Sequence, residues 1–298
     1  MQSTYTIVGL GELLWDEFPD NRRLGGAPAN VAYHASVLGD HGVLATRVGS
    51  DAAGDEALNL LASRGVDVGH VQRDPLRPTG VARIRLDADG EPAFSFDMQA
   101  AWTAPTWSDG WCDLLRRADV LCFGTLICSG AAGRAVLQQA AQTVPPGAFR
   151  LLDLNLRPPY TPDAAVEASL SCANALKLSE EEARLLARKL GVDDVAPHLI
   201  RQRGFRLVAV TRGARGSVMY TATGRHEHPG LPLMVDGPHD AVGAGDAFTA
   251  ALAHHLVRDH GLPRTSAAAN RYAALVAARA GAMPEIPQAL RNEVTGEP

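Results

Sequence analysis

Lysine is almost missing from this chain of 298 residues: it occurs only at Lys177 and Lys189, and arginine supplies nearly all of the positive charge. Neither lysine follows a glycine, so a Walker A loop, which needs Gly-Lys-Ser/Thr, is excluded. The net charge is −5 with no polybasic run, which argues against nucleic acid or an anionic membrane as partner. Cysteine is also scarce. Cys112, Cys122, Cys128 and Cys172 form no CxxC pair and lie in or beside apolar stretches such as ADVLCFGTLICSG, as reduced core thiols do, and their spacing argues against zinc. No stretch approaches the ~20 apolar residues of a membrane span. The opening MQSTYTIVGLGELLWDEF lacks the basic start of a signal peptide, so the expected location is the cytoplasm. HExxH and GxSxG are absent. After Gly9-x-Gly11 the third glycine of a dinucleotide fingerprint is replaced by Leu14, and WDEFPDNRRLGG reads as loop where that fingerprint needs a helix.

What the chain does contain is alternation. TYTIVGL, VLATRVG, ADVLCFG, FRLLDLN, NALKLS and RLVAVTRG read as strands bounded by Gly, Asp or Ser. DEALNLLASRG, AAGRAVLQQAAQ, SEEEARLLARKLG and VAPHLIRQRG carry apolar residues at helical spacing, and Ser179 with Glu182 forms a capping box. The pattern predicts one α/β domain over residues 1–298 with a mostly parallel sheet covered on both faces. Thr79 to Asp97 breaks it, with two extended runs about the turn signal Asp87-Ala88-Asp89-Gly90. That predicts a β-hairpin projecting from the main sheet.

Two constellations carry chemistry. In DAVGAGDAFTAALAHHL, Gly243-Ala244-Gly245 precedes a helix predicted to begin near Asp246 or Ala247. Free backbone N–H groups and the helix dipole there make an anion hole. Asp246, with an ordinary pKa of about 3.9, is ionised at neutral pH and can take a proton from an attacking hydroxyl. Acid and anion hole together read as phosphoryl transfer to an alcohol. Read alone, the glycines are equally a tight turn and Asp246 a helix-terminal acid. Near the start, Gly25-Gly26 allow close backbone approach before a helix with Pro28 in its first turn, ending at Gly39. Asp16 and Asn30 beside them supply the carboxylate and amide that bind paired hydroxyls, although singly they also read as a turn residue and a local cap.

GGAPANVAYHASVLG and DAVGAGDAF closely resemble the two signatures of the ribokinase-type sugar kinases, the phosphofructokinase B family, in the expected order. VGSDAAGDEAL, DLNLRPPY, LKLSEEEARLL, VTRGARGS and AGAMPEIP fit as well, so the resemblance spans nearly the whole chain. It implies a Rossmann-like three-layer α/β/α sandwich with a small β-rich lid, drawn from parts of about 12–30 and 76–102. It implies an ATP- and Mg²⁺-dependent kinase with Asp246 as base and Gly243, Ala244 and Gly245 in the anion hole. Asp16, Gly25, Gly26 and Asn30 would hold the sugar, with Asn155 and Arg157 near substrate or phosphates. Thr211, Gly213, Gly216 and Asn270 would line the nucleotide site. Ser179 stands where the family often has the Asn of Asn-x-x-Glu and falls at the nucleotide, with Glu182 organising magnesium through water. Ala241 replaces a common Thr, and Ala101-Trp102-Thr103 stands where fructokinases often show Ala-Trp-Asp.

The implied substrate is a monosaccharide, fructose first, with 2-keto-3-deoxygluconate the alternative because Arg157 could meet its carboxylate. A non-catalytic sugar- or nucleotide-binding module is the rival of another class, and a nicotinamide oxidoreductase a third. Pairing of two lids is the expected route to a homodimer.

Overall fold

The computed structural model describes residues 4–18, 21–86, 92–232 and 239–296. Chain order begins β1 (Thr6–Leu10), β2 (Leu14–Glu17), β3 (Arg22–Gly25), α1 (Ala27–Val37), β4 (His41–Ala45), β5 (Arg47–Gly49) and α2 (Ala52–Ser63). Then come β6 (Gln72–Asp74), β7 (Gly80–Leu86), β8 (Pro92–Phe96), α3 (Asp109–Leu115), β9 (Val120–Gly124), α4 (Ala131–Thr143), β10 (Phe149–Asp153) and α5 (Asp163–Cys172). The second half holds β11 (Ala175–Ser179), α6 (Glu180–Leu190), α7 (Val195–Arg203), β12 (Leu207–Thr211), β13 (Ser217–Tyr220) and β14 (Arg225–His228). Three helices close the chain: α8 (Ala244–Leu256), α9 (Gly261–Ala277) and α10 (Gln288–Thr295).

Eight strands form the main sheet in the order β14-β13-β12-β11-β10-β9-β1-β4. All pairs from β4 to β12 are parallel, and β13 and β14 add an antiparallel edge. Side chains alternate between two cores, as strand geometry requires. Ile7, Cys122 and Leu151 pack with α1, α8 and α9, while their neighbours Val8, Leu121 and Leu152 pack with α3, α4 and α5. Burial on both faces explains the near-continuous apolar runs of β1 and β9. The three-layer α/β/α arrangement read from the sequence is the one observed.

A separate four-stranded sheet, β3-β2-β7-β8, contains the segments expected to form a lid. β7 and β8 are the antiparallel hairpin read between Thr79 and Asp97; its turn at Asp87-Ala88-Asp89-Gly90 lies outside the described residues. WDEFPDNRRLGG, read as loop, instead supplies β2 and β3, which pair with each other and place β2 parallel to β7. Their four-residue length gives too little alternation to read; pairing with β7 holds β2 extended, and pairing with β2 holds β3. The base of the lid is fixed by Asp51, the N-cap of α2. It accepts the Gly54 N–H at 2.8 Å, the Thr79 N–H at 2.8 Å and the Thr79 hydroxyl at 2.6 Å. That gives VGSDAAGDEAL its structural reason. No helix among the described residues is long and apolar enough to cross a membrane.

Candidate active site

Parallel strands end together, and the chain leaves β1 first toward β4 and later returns on its other side as β9. The crevice outside the carboxyl ends at such a reversal is where open α/β sheets bind ligands. Glu12 follows β1 there, Asp153 ends β10, Ser179 ends β11 and Thr211 ends β12.

Gly243 closes the crevice from above. It adopts φ 78° as N-cap of α8, and a Cβ there would lie 2.6 Å from Ala282 Cα, so a side chain is excluded twice over. This left-handed turn starts α8 at Ala244, two residues before the start expected from the sequence. The Ala247 N–H reaches Gly243 O at 2.8 Å and the Ala244 N–H reaches Ala241 O at 3.3 Å. The amides of Gly245 and Asp246 have no acceptor among the described residues, as the first turn of a helix leaves them. α8 is buried from Ala247 to His255, so its dipole acts in a poorly screened interior.

The two signatures meet at one hydrogen bond: Asn30 in α1 donates its Nδ2 to Asp246 Oδ2 at 2.6 Å. Burial pushes the Asp246 carboxyl up to about 7 and the nearby Asp153 adds to it, while Asn30, Lys177 and Arg157 pull the other way. Behind Asp246, Lys177 Nζ donates to both Asp153 oxygens at 3.1 and 3.0 Å, and the Thr249 hydroxyl donates to Oδ2 at 2.9 Å. Burial works against the ammonium charge, but Asp153, Glu182 and Asp246 outweigh it and hold the Lys177 pKa above its ordinary value. A Cβ on Gly245 would fall 2.9 Å from Lys177 Nζ, so this ammonium sits directly beneath the amide cradle. The sequence offered backbone N–H groups alone as donors there; the structure adds a full positive charge. Lys177, Asp153 and Glu12 were not singled out in the sequence. The available signal was the lysine itself, one of two, set between leucines in a strand buried on both sides.

Two cavities flank the Gly243 turn. One, about 280 Å³, is lined by Glu12, Asp16, Gly26, Asn30, Asn155, Arg157 and Asp246 among others. Burial raises Asp16 to about 6, with Arg157 opposing, and raises Glu12 to about 7. Gly25 ends β3 against the Asp16 carboxylate, and Gly26 is the N-cap of α1. Asn155 holds φ 41°, a strained value for a residue with a side chain and one that gathers at functional sites.

The other cavity, about 320 Å³, is lined by Thr211, Gly213, Gly216 and Asn270, with Phe248, Leu231 and six alanines around them. Asn270 donates to the Ser217 hydroxyl and to Ser266 O, both at 2.8 Å. Ala241 and Gly245 line both cavities, so the turn before Asp246 is their common wall. Ser179 and Glu182 stand outside both walls. The Ser179 hydroxyl accepts the Glu182 N–H at 3.1 Å, and the two Glu182 oxygens accept the Leu156 N–H at 2.7 Å and the Ser179 N–H at 2.8 Å.

Residues 12–289 match the pfkB family of carbohydrate kinases. The chain belongs to this family. It is 30% identical over 314 residues to the probable fructokinase-5 of Arabidopsis thaliana, with 96% of each chain covered. An ATP-bound fructokinase of Xylella fastidiosa superposes with a TM-score of 0.84 at 27% identity, covering 98% of each chain. An uncharacterised sugar kinase of Pyrococcus horikoshii gives the same TM-score at 27% identity, covering 98% of this chain and 99% of its own. As a member of the PfkB family the protein is a kinase acting on carbohydrate. The binding-module and oxidoreductase readings fall away with that assignment.

Proposed function

We propose that the protein transfers the γ-phosphoryl group of ATP to a primary hydroxyl of a monosaccharide, fructose first. The carrying observation is the shared wall: Asp246 and its amide cradle separate a cavity rich in hydroxyl-binding groups from one of small apolar residues. Sugar in the first and nucleotide in the second would meet at Gly245. The fructokinase relatives, one of them solved with ATP, support the same pairing.

Asp246, held by Asn30, accepts the proton of the attacking hydroxyl as its oxygen closes on phosphorus. The Gly245 and Asp246 amides and the Lys177 ammonium face the charge that gathers on the transferred group. Asp16, on lid strand β2, holds sugar hydroxyls, and the lid excludes water that would otherwise take the phosphoryl group. Magnesium is normally held by one or two carboxylates together with phosphate oxygens, not by a cage of protein ligands. The donor set fits that habit: the described residues contain no group of three potential ligands, and Glu182 lies within electrostatic reach of Asp153 and Lys177. Glu182 would hold the ion through water, and the ion would neutralise phosphate charge.

Arg157 on the cavity wall keeps 2-keto-3-deoxygluconate as the second substrate to be tried. The deciding experiment is ADP release from Mg-ATP with fructose, 2-keto-3-deoxygluconate, ribose, adenosine and fructose 6-phosphate, wild type beside Asp246→Asn. Turnover of fructose that vanishes in the variant while sugar binding persists is the expected result. Turnover of a different sugar removes fructose, and none on any sugar removes the reading.

A further inference from the structure

Two buried oxygens on the sugar side lack a well-formed hydrogen bond among the described residues. Glu12 is 4% exposed; one of its oxygens accepts the Ala27 N–H at 3.2 Å, and the other, Oε2, has no well-aligned partner among the described residues, although the residue's own backbone N–H lies close enough to favour the charged carboxylate. Asn30 is 5% exposed; its amide nitrogen serves Asp246, and its Oδ1 has no partner either. Both side chains line the same cavity. Buried acceptors are almost always satisfied, and an unmade bond in a dry site is costly. Two unmade bonds facing one cavity call for a ligand that brings donors.

Charge narrows the ligand further. Glu12, Asp16 and Asp246 surround the cavity, against Arg157 and a Lys177 ammonium that already gives two hydrogen bonds to Asp153. A carboxylate on the ligand would sit beside three carboxyls whose ionisation it further opposes, whereas a hydroxyl would meet acceptors. A structural duty for Glu12 also exists, since its Oε1 caps the start of α1. That duty needs one oxygen and leaves Oε2 unexplained.

We propose that Glu12 is a specificity-determining residue: its Oε2 accepts one hydroxyl of a neutral sugar, beside Asn30 Oδ1, and so selects against sugar acids and deoxy sugars. The inference rests on the kinase reading above and adds to it the residue that chooses the sugar class. A site built to bind a hydroxyl rejects the analogue lacking it, because the buried acceptor is then stranded.

The test is kcat/KM for fructose, for its singly deoxygenated analogues and for 2-keto-3-deoxygluconate, with wild type, Glu12→Gln and Glu12→Ala. Glu12→Gln keeps an oxygen for Ala27, so its thermal unfolding should stay near that of wild type. Wild type should reject one particular analogue by on the order of 10²-fold or more. Both variants should be slowed on fructose but almost indifferent to that analogue, and Glu12→Gln should gain on the sugar acid relative to fructose. Equal slowing on every sugar would show that Glu12 only supports α1, and would overturn the proposal while leaving the kinase intact. A wild type that prefers the sugar acid overturns both the proposal and the fructose assignment. A wild type that phosphorylates no sugar overturns the kinase reading beneath them.

Discussion

The two cavities share a wall at Ala241 and Gly245, yet they are built from opposite materials. The proposed sugar side is walled by carboxylates and amides withdrawn from water, with Glu12 and Asp246 both raised to about 7 by burial. The proposed nucleotide side is walled largely by glycines, alanines and one phenylalanine, and its buried amide, Asn270, is occupied by Ser217 and Ser266. Shape and apolar contact bind equally well in ground and transition states, whereas fixed charges act on the proton and phosphoryl group as they move. Substitutions on the sugar side should therefore strike kcat, and those on the nucleotide side should strike KM for ATP.

Asp246→Asn gives the strongest test of this contrast. It removes the base and little volume, so kcat should fall roughly 10²- to 10⁴-fold. Fructose affinity, measured by calorimetry, should change little; a variant that instead loses affinity with kcat intact would place Asp246 in binding. Lys177→Met comes next and tests the support beneath the cradle. It strands Asp153, which is buried, and should destabilise the fold by about 3–5 kcal/mol in denaturant unfolding. Lys177→Met with Asp153→Leu should recover much of that stability but not the activity. Recovery of both would mean the pair serves the fold alone.

How much of this was open to sequence reading follows the same divide. Five of the six runs read as strands are single strands of the main sheet, because burial on both faces forces apolar runs that stop at Gly, Asp or Ser, whereas VLATRVG divides at Thr46 into β4 and β5, which leaves the main sheet to pair with β6. Strands β2 and β3 were placed in a β-rich layer only by the family resemblance, because β2 is held by β7, more than fifty residues away, and β3 by β2. Asn30 and Asp246 could be singled out from motif and helix position, but their 2.6 Å contact spans 216 residues of chain. Lys177, Asp153 and Glu12 were not assigned to the site because their significance lies in burial, which local composition does not encode. Nor does every residue of a signature do chemistry. His34, four after Asn30, is wholly buried between the Tyr272 hydroxyl at 3.0 Å and Ala282 O at 2.9 Å, and burial keeps it neutral by lowering it to about 4. It ties α1 to α9 and to the segment against which Gly243 turns. The S-x-x-E pattern at Ser179 was legible as a cap, and its hydroxyl is used in that way.

A smaller effect should appear in the pH profile. The base must be ionised, and Asp246 takes up its proton as the pH falls through about 7. Activity is thus present above that pH and should drop about tenfold per unit below it. The Asn30 hydrogen bond favours the ionised form, so Asn30→Ala should move this limb to higher pH. A limb near the ordinary aspartate value, unmoved by Asn30→Ala, would mean that the carboxylate is better solvated than its burial implies.

The mildest change belongs to the apolar cavity. Ala274 lines its wall and carries no polar group, so Ala274→Leu intrudes on the nucleotide without touching the proton path. Overpacking of this kind costs about 1–3 kcal/mol, which here should appear as a KM for ATP raised roughly tenfold. The kcat at saturating ATP and the KM for sugar should stay near wild type. A fall in kcat of the same size would show that the two sides are coupled through the wall at Ala241 and Gly245, since displacement of the nucleotide would then misplace the phosphoryl group against Asp246. The contrast between a chemical side and a binding side would in that case describe the composition of the walls, and no longer their division of labour.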